Sequence, residues 1–240
     1  MLARIIIYII AAFFLVHLLY LLTVVIAAFS VKNEPYTKQN RFVRRLLNSV
    51  TAFIMFWGRI DVKVTGLSLL PQEKFLLVCN HLSAFDPIVT WYALRGLRDV
   101  AFISKEENFH APLFGRLMNA VCCLPIDRED PRRAIETINK ASALISSDEV
   151  SVGVYPEGTR SAGSGLLPFH NGVLKIAKKS HAPILVMTVR GTREIQNRWP
   201  LKRSTVNVDF IKVFDADCVS SCRTADLGAE IRSLMEAQLK

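Results

Sequence analysis

Residues 5–29, IIIYIIAAFFLVHLLYLLTVVIAAF, contain no Asp, Glu, Lys or Arg. About 20 apolar helical residues span a hydrocarbon core roughly 30 Å thick, so this run is long enough to cross a bilayer with tilt. It also explains a composition that is 51% hydrophobic, high for a purely soluble chain. Arg4 is the only charged residue before the run, whereas Lys32, Lys38, Arg41, Arg44 and Arg45 lie behind it. This positive-inside bias places the remainder of the chain on the cytoplasmic face of a membrane. A cleaved signal peptide is the competing reading. The run exceeds the usual apolar region of about 7–15 residues, although IAAFS (26–30) resembles a cleavage site. His17 lies mid-span, where an imidazole either marks function or bonds to a neighbouring helix.

A second segment, RFVRRLLNSVTAFIMFWGRI (41–60), gathers its arginines early and its large apolar residues late. It reads as an interfacial amphipathic helix, a short re-entrant piece or a buried helix. The expected division is a membrane-anchoring helical module over 1–58 and one α/β domain over 59–240.

Beyond residue 60, strand-like runs at 61–66, 74–79, 99–104, 120–126, 149–155, 183–189 and 205–214 alternate with helix-like segments. The helical segments fall at 87–97, 111–119, 131–146, 171–180 and 224–238. That alternation predicts an α/β fold with a mixed, largely parallel sheet flanked by helices. The net charge of +9 favours polyanions: nucleic acid, phosphate-bearing substrates or an anionic leaflet. The cysteines, Cys79, Cys122, Cys123, Cys218 and Cys222, are odd in number and form no CxxC pair. They read as reduced and structural.

In an open α/β sheet, ligands gather outside the carboxyl ends of the strands. The polar clusters NHLSAFD (80–86), SKEEN (104–108), IDRED (126–130) and YPEGTRS (155–161) all come directly after apolar runs. In the first, His81 and Asp86 stand five apart, a spacing that does not share a helical face. Asp86-Pro87 reads as a helix start, with Asp86 as the cap. The loop 81–85 can then fold His81 back onto Asp86. A carboxylate on one imidazole nitrogen makes the other a general base suited to a hydroxyl proton.

Other readings of the pair compete. A metal site wants more ligands, as HxxxH or paired Cys, and none is expected. Ser83 lacks a G-x-S-x-G elbow, and Cys79 sits within an apolar run. The bland reading makes Asp86 a cap and His81 a loop residue. Pro-Glu-Gly-Thr-Arg (156–160) predicts a tight turn with a Gly at positive φ. It offers Glu157 as acceptor, a Thr159 hydroxyl and the Arg160 fork for phosphate. No Walker GxxxxGK[ST] or GxGxxG occurs.

NHLSAFD, SKEE, IDR and YPEGTRS, in this order and spacing, resemble the four blocks of the glycerolipid acyltransferase family, and most closely its 1-acylglycerol-3-phosphate (lysophosphatidic acid) acyltransferase branch. The likeness covers roughly residues 58–195, and a hydrophobic N-terminal anchor is usual in the family. The resemblance implies that His81 is the general base and Asp86 its orienting partner. It implies that Glu157, Gly158, Thr159 and Arg160 bind the glycerol-phosphate acceptor, with Lys105 and Arg128 adding positive charge. The reaction implied is transfer of a fatty acyl group from acyl-CoA or acyl-carrier protein to the sn-2 hydroxyl of lysophosphatidic acid, with no cofactor and no metal. The same chemistry on glycerol-3-phosphate, a lysophospholipid with a head group or a lyso-aminolipid is the alternative.

Some positions depart from the family pattern: Tyr155 for the commoner Phe, His170-Asn171 where a lysine often precedes Gly, and VMTV (186–189) for Val-Pro-Val. A tethered binding protein without turnover loses ground to the presence of His81, Asp86, Glu157 and Arg160. No nucleic-acid partner is expected. RWPLKR (198–203) is the one basic–aromatic cluster, and it fits a membrane surface as well.

Overall fold

The computed structural model describes residues 1–127, 129–161 and 165–240. Helix α1 (Leu2–Ser30) leads into α2 (Arg41–Trp57), β1 (Ile60–Thr65), β2 (Leu76–Cys79), α3 (Asp86–Leu94), β3 (Val100–Lys105), α4 (Phe114–Ala120) and β4 (Leu124–Ile126). Then come α5 (Pro131–Ser146), β5 (Ser151–Val154), α6 (Lys175–Ser180), β6 (Ile184–Arg190), α7 (Thr192–Arg198), β7 (Ser204–Phe214), α8 (Ala216–Ser221) and α9 (Thr224–Leu239). The strands form one seven-stranded sheet in the order β1-β7-β6-β2-β5-β3-β4. Among the described residues only β6 and β7 pair antiparallel, so the sheet is mixed and largely parallel as predicted.

The central strands are buried on both faces, which is why they read as continuous apolar runs. Every residue of β2 is at 0% exposure. One group of helices, α5 with α6, packs on β4 and β5, and α9 covers β6 and β7. A second group, α1 to α4, packs together and meets the sheet at β1 and β3. Helix α5 starts where Asp130 accepts hydrogen bonds from the Arg132 and Arg133 amides, with Pro131 in its first turn. The 171–180 segment is a 3₁₀ turn (Asn171–Leu174) running into α6. Helices α7 and α8 are additions that the apolar periodicity does not show.

Helix α1 is exposed along most of its length, with Ile6, Phe14, Leu18 and Phe29 facing out. Its 18-residue window reaches a mean hydropathy of 2.7, so by length and composition it can cross a membrane. Its last turns are different: Val24, Ala27 and Ala28 are buried. His17 bonds to Phe13 O at 2.8 Å and its ring lies 5.3 Å from that of Trp57, in an aromatic cluster between α1 and α2.

Helix α2 faces two ways. Phe42, Phe56 and Trp57 are exposed, while Val43, Leu46, Leu47 and Met55 belong to the domain core. Arg44, one of the charges flanking the apolar run, is buried at 4% exposure. Its guanidinium donates to Val100 O and Val121 O, both at 3.1 Å, and to the Gln39 Oε1, with Asp99 at 3.7 Å. Arg44 is therefore a core clamp and contributes nothing to surface charge. Arg44→Ala orphans the buried Val121 carbonyl, whereas Val100 O keeps the Trp91 indole N–H at 2.8 Å, and the change is expected to cost about 1–3 kcal/mol. Thermal unfolding in detergent should show the lowered Tm.

Cys79, Cys122 and Cys123 are fully buried free thiols. Burial pushes Cys123 up to about 11 and Cys122 up to about 12, so they remain neutral packing groups.

Candidate active site

Strands β2, β5 and β3 are neighbours in the sheet, and three of the four polar clusters leave their carboxyl ends. Sheet order thus converges segments about 25 to 75 residues apart on one edge. They border a cleft of about 660 Å³. His81, Lys105, Gly158, Thr159 and Arg160 line its polar side, and Ile88, Trp91, Phe102, Phe114, Met118 and Ile138 line an apolar interior. Arg128 lies outside the described residues.

His81 folds back onto Asp86 as the loop reading requires, with Nδ1 and Oδ2 2.7 Å apart. A carboxylate opposite Nδ1 makes that nitrogen the donor and leaves Nε2 for the cleft. Asp86 is the first residue of α3 and does not cap it; the N-cap position is Phe85. The carboxylate instead points back into its own loop. Oδ2 also accepts from the Leu82 amide at 2.6 Å and the Ser83 amide at 2.8 Å. Asp86 is wholly buried and His81 is 20% exposed, so the acid is shielded and the base is reachable.

The imidazole is held face-on as well. Its ring stacks on Tyr155 at 4.2 Å and 20°, and Tyr155 stacks on Phe102 at 5.5 Å and 7°. Phe102 has room because Gly153 is its partner on β5: a Cβ there would stand 2.4 Å from the Phe102 ring. Burial pushes the Tyr155 hydroxyl well above its ordinary range, so it stays a neutral π-face. Beyond an aromatic residue before Pro156, no sequence signal marks this stack.

Gly158 takes φ 74, the left-handed turn predicted for 156–160. Thr159 and Arg160 are exposed at the cleft. Glu157 is not: at 3% exposure, its carboxylate accepts from the His81 amide at 2.7 Å and the Leu167 amide at 2.9 Å. It braces the loop beneath the histidine and lies outside the cleft lining. Burial raises the Glu157 carboxyl above its usual range against the pull of those two N–H donors. Ser161 completes the brace, donating its amide to His81 O at 2.9 Å.

The two other nucleophile candidates are out of position. Ser83 is 1% exposed and its Oγ accepts from the Phe85 amide. Cys79 is fully buried, with burial raising its thiol well above the ordinary range. Neither lines the cleft. Two residues given no role by the sequence reading also serve the site. The buried amide of Asn80 clamps β6 in both directions, donating to Val189 O at 3.0 Å and accepting from Val189 N at 2.8 Å. Thr192 reaches Asp86 Oδ1 at 2.5 Å. His170 also lines the cleft.

A carboxylate-held imidazole opening on an apolar cleft with cations at its rim defines a class: proteins equipped to take a hydroxyl proton beside an anionic group and a long apolar chain. A family model described as Acyltransferase matches residues 61–190. The chain belongs to that family. It is 36% identical over 134 residues to a 1-acyl-sn-glycerol-3-phosphate acyltransferase of Limnanthes douglasii, covering 55% of this chain and 46% of that one. It is 28% identical over 177 residues to the 1-acyl-sn-glycerol-3-phosphate acyltransferase of Haemophilus influenzae, covering 71% and 72%. The chain thus spans about half the length of the plant relative and nearly three quarters of the bacterial one. In fold it is similar to the crystal structure of the lysophosphatidic acid acyltransferase PlsC from Thermotoga maritima, at TM-score 0.70 and 21% identity over 92% of this chain and 87% of that one.

Proposed function

We propose that this protein transfers a fatty acyl group from a thioester to the sn-2 hydroxyl of 1-acyl-glycerol-3-phosphate, giving phosphatidic acid. The observation that carries the reading is the His81–Asp86 pair beside an apolar cleft whose lining includes His81, Arg160 and Lys105. The names of the relatives point the same way.

In this reading the lysolipid's phosphate meets Arg160 and Lys105, with Gly158 and Thr159 shaping the approach and Arg128 adding charge. Glu157 serves the acceptor site indirectly, by holding the loop and the His81 amide. His81 Nε2 removes the proton from the acceptor hydroxyl, and that oxygen attacks the thioester carbonyl. Asp86 stabilises the imidazolium that forms, with the Tyr155 face beneath it. The tetrahedral intermediate expels the thiolate of acyl-CoA or acyl-carrier protein, which takes the proton from His81. The steps balance with no cofactor, no metal and no acyl-enzyme. Helix α1 holds the protein to the membrane, with the catalytic domain on the cytoplasmic face. Residues 1–58 form the anchoring module and 59–240 the catalytic domain, α2 also lending its inner face to the domain's core.

The test is acyl transfer from acyl-CoA, and separately from acyl-carrier protein, to lysophosphatidic acid by the detergent-purified chain. Phosphatidic acid is the expected product. Product only with glycerol-3-phosphate, a lysophospholipid or a lyso-aminolipid would move the assignment to that acceptor, and none with any pair would end the acyl-transfer reading. Within an active enzyme, Arg160→Ala is expected to raise KM for the phosphate-bearing acceptor about 10- to 100-fold with a smaller change in kcat, because a guanidinium–phosphate contact exists before the transition state as well as in it. Initial rates over a range of acceptor concentration give both constants.

A further inference from the structure

We propose that Thr192 is a positioning residue for the base: it fixes the second oxygen of Asp86, and through it the plane of the His81 ring. The proposal deepens the acyl-transfer reading and rests on it.

Asp86 has two oxygens with different neighbours. Oδ2 accepts from His81 Nδ1, Leu82 N and Ser83 N, all within one loop. A carboxylate torsion is soft and roughly two-fold, so contacts to one oxygen from one loop leave the group free to rock with that loop. Oδ1 supplies an outside reference. Thr192 Oγ1 donates to it at 2.5 Å from a residue 106 positions along the chain. Thr192 is at 0% exposure and does not line the cleft, so it acts on Asp86 and touches no substrate.

The backbone is built to place that hydroxyl. Asn80, next to His81, locks the end of β6 to the end of β2 through Val189. The chain then turns at Gly191, where φ is 88 and any Cβ would come within 2.3 Å of Thr205 O. Only glycine fits this turn, and the next residue is delivered against Asp86. The Arg193 guanidinium donates to Ser161 O, tying the start of α7 to the loop that carries Glu157 and Arg160. Threonines near helix starts commonly cap their own helix. Here the N-cap is Gly191 with no side-chain cap, and the Thr192 hydroxyl goes to Asp86.

The function of such a strut emerges when His81 takes a proton. The carboxylate must then stay coplanar with the imidazolium, and a misplacement of about 1 Å costs on the order of 100-fold in rate. Thr192→Val keeps shape and removes the donor. Thr192→Ala is its companion should valine fold poorly, since it leaves space beside Oδ1. Thr192→Ser returns the hydroxyl.

The experiment measures kcat and KM for these variants with acyl-CoA and lysophosphatidic acid, and records the low-field proton of the His81 Nδ1–H···Asp86 bond by NMR, assigned by its loss in His81→Ala. The expected result is a kcat lowered about 10- to 100-fold in Val and Ala, KM within about twofold, loss or broadening of the low-field signal, and recovery of both in Ser. Unchanged kcat in Val and Ala would overturn the proposal. So would a loss that Ser does not restore, or one that falls equally on kcat and KM alongside a lowered Tm, since those describe a packing residue. If the wild type turns over no acceptor, the acyl-transfer reading fails. The substrate-independent NMR signal still decides the positioning claim: retention in Val overturns it, and loss in Val with recovery in Ser supports it.

Discussion

His81→Ala should lower kcat by about 10²–10⁴-fold while leaving the fold intact. The side chain makes its polar contact with Asp86 and is 20% exposed. Its removal therefore opens the cleft wall without emptying the core. KM for the lysolipid should move little, since Arg160 and Lys105 remain at the rim. Steady-state kinetics with circular dichroism on the same preparation tests both halves. A variant that keeps more than about a tenth of wild-type kcat would show that Nε2 takes no proton in the slow step.

Asp86→Asn is expected to be nearly as damaging to turnover, about 10³–10⁴-fold, and more damaging to stability. The carboxylate accepts four hydrogen bonds in a wholly buried site. An amide supplies one oxygen and one NH₂ in their place. If the amide nitrogen faces the loop, it opposes the Leu82 and Ser83 donors; if it faces Thr192, the imidazole loses its charged partner. The first arrangement also favours the wrong imidazole tautomer, since an NH₂ donating to Nδ1 moves the ring proton to Nε2. A stability loss of about 2–4 kcal/mol should accompany the lost rate. The two residues act as a unit, so the double variant His81→Ala/Asp86→Asn should be scarcely slower than His81→Ala alone. Additive losses in the double variant would mean that Asp86 contributes by a route other than His81.

The sheet is legible in the sequence because its strands are buried on both faces. All seven apolar runs are strands, with ends displaced by a few residues, and the single antiparallel pair agrees with a mixed sheet. The short helices are not legible. In α7 only Thr192 and Ile195 are buried, and in α8 only Val219, too little for a period to emerge. The approach of His81 to Asp86 is legible because the constraint is local. The inward turn of Glu157 is not, since its partners are backbone amides of His81 and Leu167, which no side-chain pattern encodes. Thr192 is hidden for a similar reason: its partner is far off in the chain and its own neighbourhood looks like an ordinary helix start. Arg44 misleads by position, being a charge next to a membrane-length run that the fold takes into its interior.

The shared burial of α2 has a kinetic consequence. Because Arg44 and the apolar side of α2 are built into the sheet's surroundings, α2 and the domain that carries the His81 cleft pack as one body. With the proposed anchor in a bilayer, the cleft has no flexible tether at α2 on which to swing out into the aqueous phase. Under the proposed function, it meets its lysolipid by lateral diffusion, in two dimensions. The quantity that sets the rate is then the mole fraction of lysolipid within the bilayer or mixed micelle. Adding inert lipid at constant molar substrate slows such an enzyme by surface dilution alone.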